Sequence, residues 1–204
     1  IETASFLGTH CIVTHPGGLS VQRYDKKGEE RLPVDYEKAR EIVSFAREKG
    51  VTIVLENNIQ PNALGDLEEA LERVPGLKIC LDIGHAFCTQ MRFPNCEAGI
   101  PLFVSRLKDH VYHLHLDWAR LSFGRVNLPV DHVQLVIAVL RDAGYEGYAT
   151  MEEALPDPVQ ILSEDRAFFQ ELITWVGDRA AEELDSDFFH YQWKRMKEQG
   201  ATGK

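Results

Sequence analysis

Four side chains of metal-binding type recur at equivalent places along the chain. They are Glu56 in VLENN, Asp82 in LDIGHA, His115 in HLHLD and Glu152 in TMEE, each at the C-terminal end of a short β-rich run. One strand cannot surround an ion, so a divalent cation at a strand end needs three or more nitrogen and oxygen donors arriving from different strands. Three carboxylates and one imidazole make a hard-to-borderline donor set, suited to Mn²⁺, Mg²⁺, Co²⁺ or Zn²⁺. Any one of the four alone reads equally well as a capped turn or a solvated strand end. Four at matching positions point to a shared site.

The elements that would position them follow from the pattern of the chain. The β-rich runs begin at Cys11 (CIVTH), Val51 (VTIVLE), Lys78 (KICLD), Val111 (VYHLHLD) and Gly147 (GYATME), spaced 40, 27, 33 and 36 residues apart. Amphipathic stretches at 36–49, 66–73, 98–108, 130–143 and 160–176 are predicted as helices. Repeated βαβ units of this size predict a parallel sheet, hence an α/β fold. Strand parity narrows the choice. Val111, His113, His115 and Asp117 share one face of their strand, and Tyr112, Leu114, Leu116 and Trp118 the other. A doubly wound sheet wants both faces apolar, whereas a barrel tolerates polar groups pointing inward at its strand ends. The expectation is a (β/α)₈ TIM barrel. Eight such units need roughly 270 residues, so about five of the eight are expected here, with about three missing at the N-terminal side. Residues 1–179 are assigned to the barrel and 180–204 to a helical tail carrying Phe188, Phe189, Tyr191 and Trp193 among charges.

Composition limits the function classes. Of 204 residues, 44% are hydrophobic and 26% charged, the profile of an ordinary globular core. Thirty-two acidic residues against 22 Lys and Arg give a net charge of −10, which disfavours a nucleic-acid surface. No apolar run approaches the ~20 residues of a membrane span; the longest, 133–140, is interrupted by Gln134. The start Ile1-Glu2-Thr3 has no basic segment of a secretory signal and no initiator Met, which reads as a fragment. Cys11, Cys80, Cys88 and Cys96 form no CxxC pair and fit free thiols in a reducing cytoplasm. Strand edges left by an unclosed sheet favour homo-oligomeric association.

The runs THPGG, VLENN, LDIGHA, HLHLD and GYATMEE, in this order and spacing, resemble the xylose isomerase-like TIM barrel superfamily. That group includes sugar and sugar-phosphate isomerases and epimerases, inosose dehydratases and endonuclease IV-type nucleases. The resemblance covers roughly residues 1–176. It implies one divalent metal ion, Mn²⁺ foremost, held by Glu56, Asp82, His115 and Glu152. Glu56 and Glu152 would divide the proton work, one removing and one returning a proton next to a carbonyl through an enediolate. His85, three residues after Asp82, and His15 of THPGG would face a sugar or sugar-phosphate substrate, together with Arg120 and Arg125 on the loop after His115. Asp117 would orient the His115 imidazole. His113 is expected as a core imidazole, and Asn57-Asn58 as a turn or a ligand-facing loop.

Other outcomes of the same motifs are an inosose-type dehydratase, an endonuclease IV-like phosphodiesterase, and a non-catalytic barrel that keeps the motifs without a substrate wall. The nuclease branch adds an Asp-x-His pair after the His115 strand. Here the stretch Gly124-Arg125-Val126-Asn127-Leu128-Pro129 contains neither residue, and that reading is the weaker one.

Overall fold

The structure, a computed structural model, describes residues 1–24, 32–116, 120–121, 124–125 and 130–151. Helix α1 (Glu2–Phe6) leads into β1 (Cys11–Thr14), and a 3-10 turn follows at Pro16–Leu19. Helix α2 (Tyr36–Glu48) returns the chain to β2 (Thr52–Glu56), and α3 (Ala63–Arg73) returns it to β3 (Lys78–Asp82). Two helices, α4 (Ile83–Arg92) and α5 (Ile100–Leu107), precede β4 (Val111–Leu116). A short antiparallel pair, β5 (Arg120–Leu121) and β6 (Gly124–Arg125), comes before α6 (Val130–Asp142) and β7 (Tyr148–Met151).

The five longer strands form one parallel sheet in the order β1-β2-β3-β4-β7, which is the order of the chain. Right-handed crossovers that always step to the next strand on the same side place every connecting helix on one face. The other face is enclosed when the sheet curls, as in the wall of a (β/α)₈ barrel; a doubly wound sheet reverses its direction at a switch point, and this one does not. The chain therefore forms a five-stranded part of a TIM barrel.

Burial follows parity. Ile53, Leu55, Ile79, Leu81, Leu114 and Leu116 join the main apolar core with the helices. Val54, Glu56, Cys80, Asp82, His113 and His115 have the opposite parity and are buried too. The helix-facing half of the sheet is thus aliphatic, and the inward half becomes polar toward the strand ends. Helix α5 shows the matching stripe, with Ile100, Phe103, Val104 and Leu107 buried at three- and four-residue spacing. Each such side chain contributes about 2 kcal/mol of burial.

Several elements differ from the sequence reading. Helix α3 begins at Ala63, ahead of the expected 66, because Asn62 takes a left-handed turn (φ 57°) and donates to Asp66 Oδ1 at 3.0 Å. Helix α4 was not expected at all. It starts directly on the residue after β3, with no linker to announce it. Arg120 and Arg125, expected on a loop, belong to β5 and β6 and pair with each other in register; two-residue strands carry no periodicity to read. The chain approaches β7 tightly at Gly147, where a Cβ would lie 2.5 Å from both the Tyr112 carbonyl and the Tyr145 hydroxyl. The expected helix at 160–176 and the 180–204 tail lie outside the described residues. Among the described residues, no helix is long and apolar enough to cross a membrane.

Candidate metal centre

Three of the four strand-end candidates meet inside the sheet's concave face. Glu56 is the last residue of β2, Asp82 the last of β3, and His115 lies one residue before the end of β4. The ladders set them side by side, with Glu56 paired to Cys80, Cys80 to His113, and Asp82 to His115. Glu56, Asp82 and His115 are each at least 95% buried. One donor atom from each lies within 4.8 Å of the others.

The local chemistry explains how each side chain is aimed. Asp82 ends β3 and is also the N-cap of α4: its Oδ1 accepts the His85 N–H at 2.6 Å. This cap stabilises the first turn of the helix and leaves Oδ2 directed at the site, 3.9 Å from Nδ1 of both His115 and His85. Glu56 Oε1 lies 3.4 Å from Nδ1 of His115 and from Nδ1 of His85, and Oε2 lies 3.4 Å from Nε2 of His15. Burial alone would push the Glu56 carboxyl up, but the imidazoles of His115, His15 and His85 together hold it below the usual carboxylate range. Glu56 is therefore the anion around which the histidines gather.

The remaining candidates sort by position. His85 is half-buried on the first turn of α4, and His15 is exposed just after β1, their ring centroids 6.3 Å apart. His113, expected as a core imidazole, is buried with Nε2 2.8 Å from Thr150 Oγ1, and its ring stands edge-on to His115 at 5.3 Å. The structure gives the backbone of Arg120 and Arg125 but leaves their side chains undescribed. Glu152 and Asp117 lie outside the described residues. Sequence reasoning missed Thr150, whose partner is 37 residues away, and missed the buried amide of Asn57; the only signal for the latter was the Asn57-Asn58 pair following Glu56.

The donor set can be tested against a metal. Two donors of one ion, each at ~2.1 Å, lie at most ~4.2 Å apart. The His115–Glu56 and His115–Asp82 separations of 3.4 and 3.9 Å fall inside that span. Glu56 Oε1 is buried, with Nδ1 of His115 and of His85 each 3.4 Å away. Two carboxylates and an imidazole fit a hard or borderline divalent cation.

The fold has counterparts in known structures. A D-tagatose 3-epimerase-like protein superposes with a TM-score of 0.60 at 23% identity, over 87% of this chain and 67% of its own. The xylose isomerase domain protein from Planctomyces limnophilus gives 0.60 at 16% identity, over 87% and 63%. The 3-keto-D-glucoside 4-epimerase YcjR from E. coli gives 0.57 at 18% identity, over 83% and 67%. The chain thus spans about two thirds of the length of these structures, and at such identities the likeness is one of fold. No curated protein matches the chain by sequence. A family model described as xylose isomerase-like TIM barrel matches residues 1–172. By that match, and by the order and curl of its strands, the chain belongs to the xylose isomerase-like TIM barrel family.

Proposed function

We propose that this chain is a divalent-metal-dependent isomerase or epimerase of a sugar or sugar phosphate, working by proton transfer next to a carbonyl. The observation that carries this reading is the convergence of Glu56, Asp82 and His115, buried at the C-terminal ends of three adjacent parallel strands. This is the end where barrels of this type hold their active sites. The names of the sugar epimerases sharing the fold agree with it.

Glu56, Asp82 and His115 would hold the ion, with Glu152 as the fourth ligand and Mn²⁺ as the preferred metal. When bound, such an ion polarises a carbonyl and its neighbouring hydroxyl and makes the adjoining C–H acidic. The chain supplies the rest. Glu56, kept ionised by its three imidazole neighbours, is in the form that accepts a proton. Glu152, following β7, is the proposed partner that returns it. Backbone register sets Thr150 of β7 beside His115, so β7 approaches the same mouth. His85 and His15 flank Glu56 and would bind substrate oxygens, with Arg120 and Arg125 proposed as further substrate contacts.

The test is solvent-deuterium exchange into ketoses and their phosphates in the presence of Mn²⁺. The unaltered chain should incorporate deuterium at the carbon next to the carbonyl, and Glu152→Gln should stop it while leaving the chain folded. Exchange that persists in Glu152→Gln would remove Glu152 from the mechanism.

A further inference from the structure

The β2–β3 ladder pairs Val54 with Lys78, Leu55 with Ile79 and Glu56 with Cys80. Strand β3 continues two residues further to Asp82, whereas β2 ends at Glu56. At the level of Asp82 the side chain of Asn57, fully buried, takes over the pairing. The Asp82 N–H donates to Asn57 Oδ1 at 2.7 Å, and Asn57 Nδ2 donates to the Asp82 carbonyl at 2.8 Å. A carboxamide carries the donor and the acceptor of a peptide group. It can therefore extend the ladder while the main chain of β2 turns away to form the loop. The main-chain carbonyl of Asn57 is used as well, with His85 Nδ1 2.8 Å from it. A carbonyl only accepts, so Nδ1 carries a hydrogen, and whenever the ring has only one hydrogen the lone pair is on Nε2.

We infer that Asn57 is the positioning residue of the metal centre. Its amide fixes the main chain of Asp82 against the end of β2, and the cap to His85 fixes Oδ1, so Oδ2 has one direction left, toward Glu56 and His115. Its carbonyl fixes the His85 tautomer and presents Nε2 as an acceptor. This role rests on the metal reading above and adds to it the group that sets the spacing of two ligands from different strands. Partners of this kind behind a metal site typically change affinity by about 10–100-fold when removed.

Two readouts test it on the whole chain and on its Asn57→Ala and Asn57→Asp variants. Hydrogen exchange at the Asp82 amide, followed by NMR without metal, reads the clamp. Titration with Co²⁺, followed by visible absorption, reads affinity and coordination geometry. Asn57→Ala should exchange about tenfold or more faster at Asp82, bind Co²⁺ about 10–100-fold more weakly and show a shifted absorption band. Asn57→Asp keeps the acceptor and loses the donor; it should fall between, and it decides the matter if the alanine variant does not fold. Faster exchange at Asp82 with unchanged Co²⁺ affinity and spectrum would overturn the positioning role, and unchanged exchange would overturn the clamp. An unaltered chain that takes up no Co²⁺ would overturn the metal reading, and the Asp82 exchange rate would then judge the clamp by itself.

Discussion

Replacing Asp82 by Asn and by Ala separates two roles that one carboxylate fills. Oδ1 caps α4 through the His85 N–H at 2.6 Å, while Oδ2 faces His115 Nδ1 at 3.9 Å. Asn is as good an N-cap as Asp, so Asp82→Asn keeps the cap and loses the charged donor; Asp82→Ala loses both. A lost cap costs about 1 kcal/mol. For a chain of this size that lowers Tm by roughly 2–4 °C, so in EDTA the alanine variant should melt that much below the asparagine variant. Metal adds a separate term. Mn²⁺ at about a hundred times its Kd stabilises the folded chain by ~2.7 kcal/mol, or roughly 5–10 °C here. Both variants should forfeit most of that gain. Calorimetric melts of the three chains, with EDTA and with Mn²⁺, give all the comparisons. An undiminished Mn²⁺ shift in Asp82→Asn would refute the site, and equal melting of the two variants in EDTA would refute the cap.

The scaffold makes further predictions. Gly147→Ala puts a methyl 2.5 Å from the Tyr112 carbonyl and the Tyr145 hydroxyl; the forced shift should cost about 1–3 kcal/mol, read as a lower urea midpoint with an unchanged slope. Burial pushes the Tyr145 phenol above the usual tyrosine range. The folded chain then keeps this proton where the unfolded chain releases it, so its contribution is complete below about pH 10 and declines above it. Urea midpoints should begin to fall near about pH 10 and go on falling above it. Tyr145→Phe, already weakened by losing the bond from its hydroxyl to the Tyr148 carbonyl, should show a shallower fall, and an equal slope would refute the assignment.

How much of this was legible in the sequence depends on how far each interaction reaches. Period-two alternation marks the strands, and β1, β3 and β4 begin at Cys11, Lys78 and Val111 as expected. The same alternation set Glu56, Asp82 and His115 at strand ends of one parity, and the parallel order brought them together. Helix α4 escaped because Asp82 ends a strand and caps a helix in the same residue, with Gly84 in the first turn. His15 of THPGG was expected to face a substrate; the structure places it at the surface with its Nε2 3.4 Å from Glu56 Oε2, a neighbour 41 positions away that the motif itself does not encode. Asn57 was illegible in another way. Its amide completes a ladder with a residue 25 positions away, and no spacing rule encodes a side chain standing in for a peptide group. Thr150 against His113 is the same kind of long-range pairing.

The central claim is the ion at Glu56, Asp82 and His115, and metal content tests it most directly. The chain and its His115→Ala variant are dialysed against mixed Mn²⁺, Co²⁺, Mg²⁺ and Zn²⁺ and measured by elemental analysis, with circular dichroism establishing that both are folded. The expected result is about one equivalent of a divalent metal in the unaltered chain and its loss in His115→Ala. A folded chain that retains no metal, or a variant that retains as much as its parent, would contradict it.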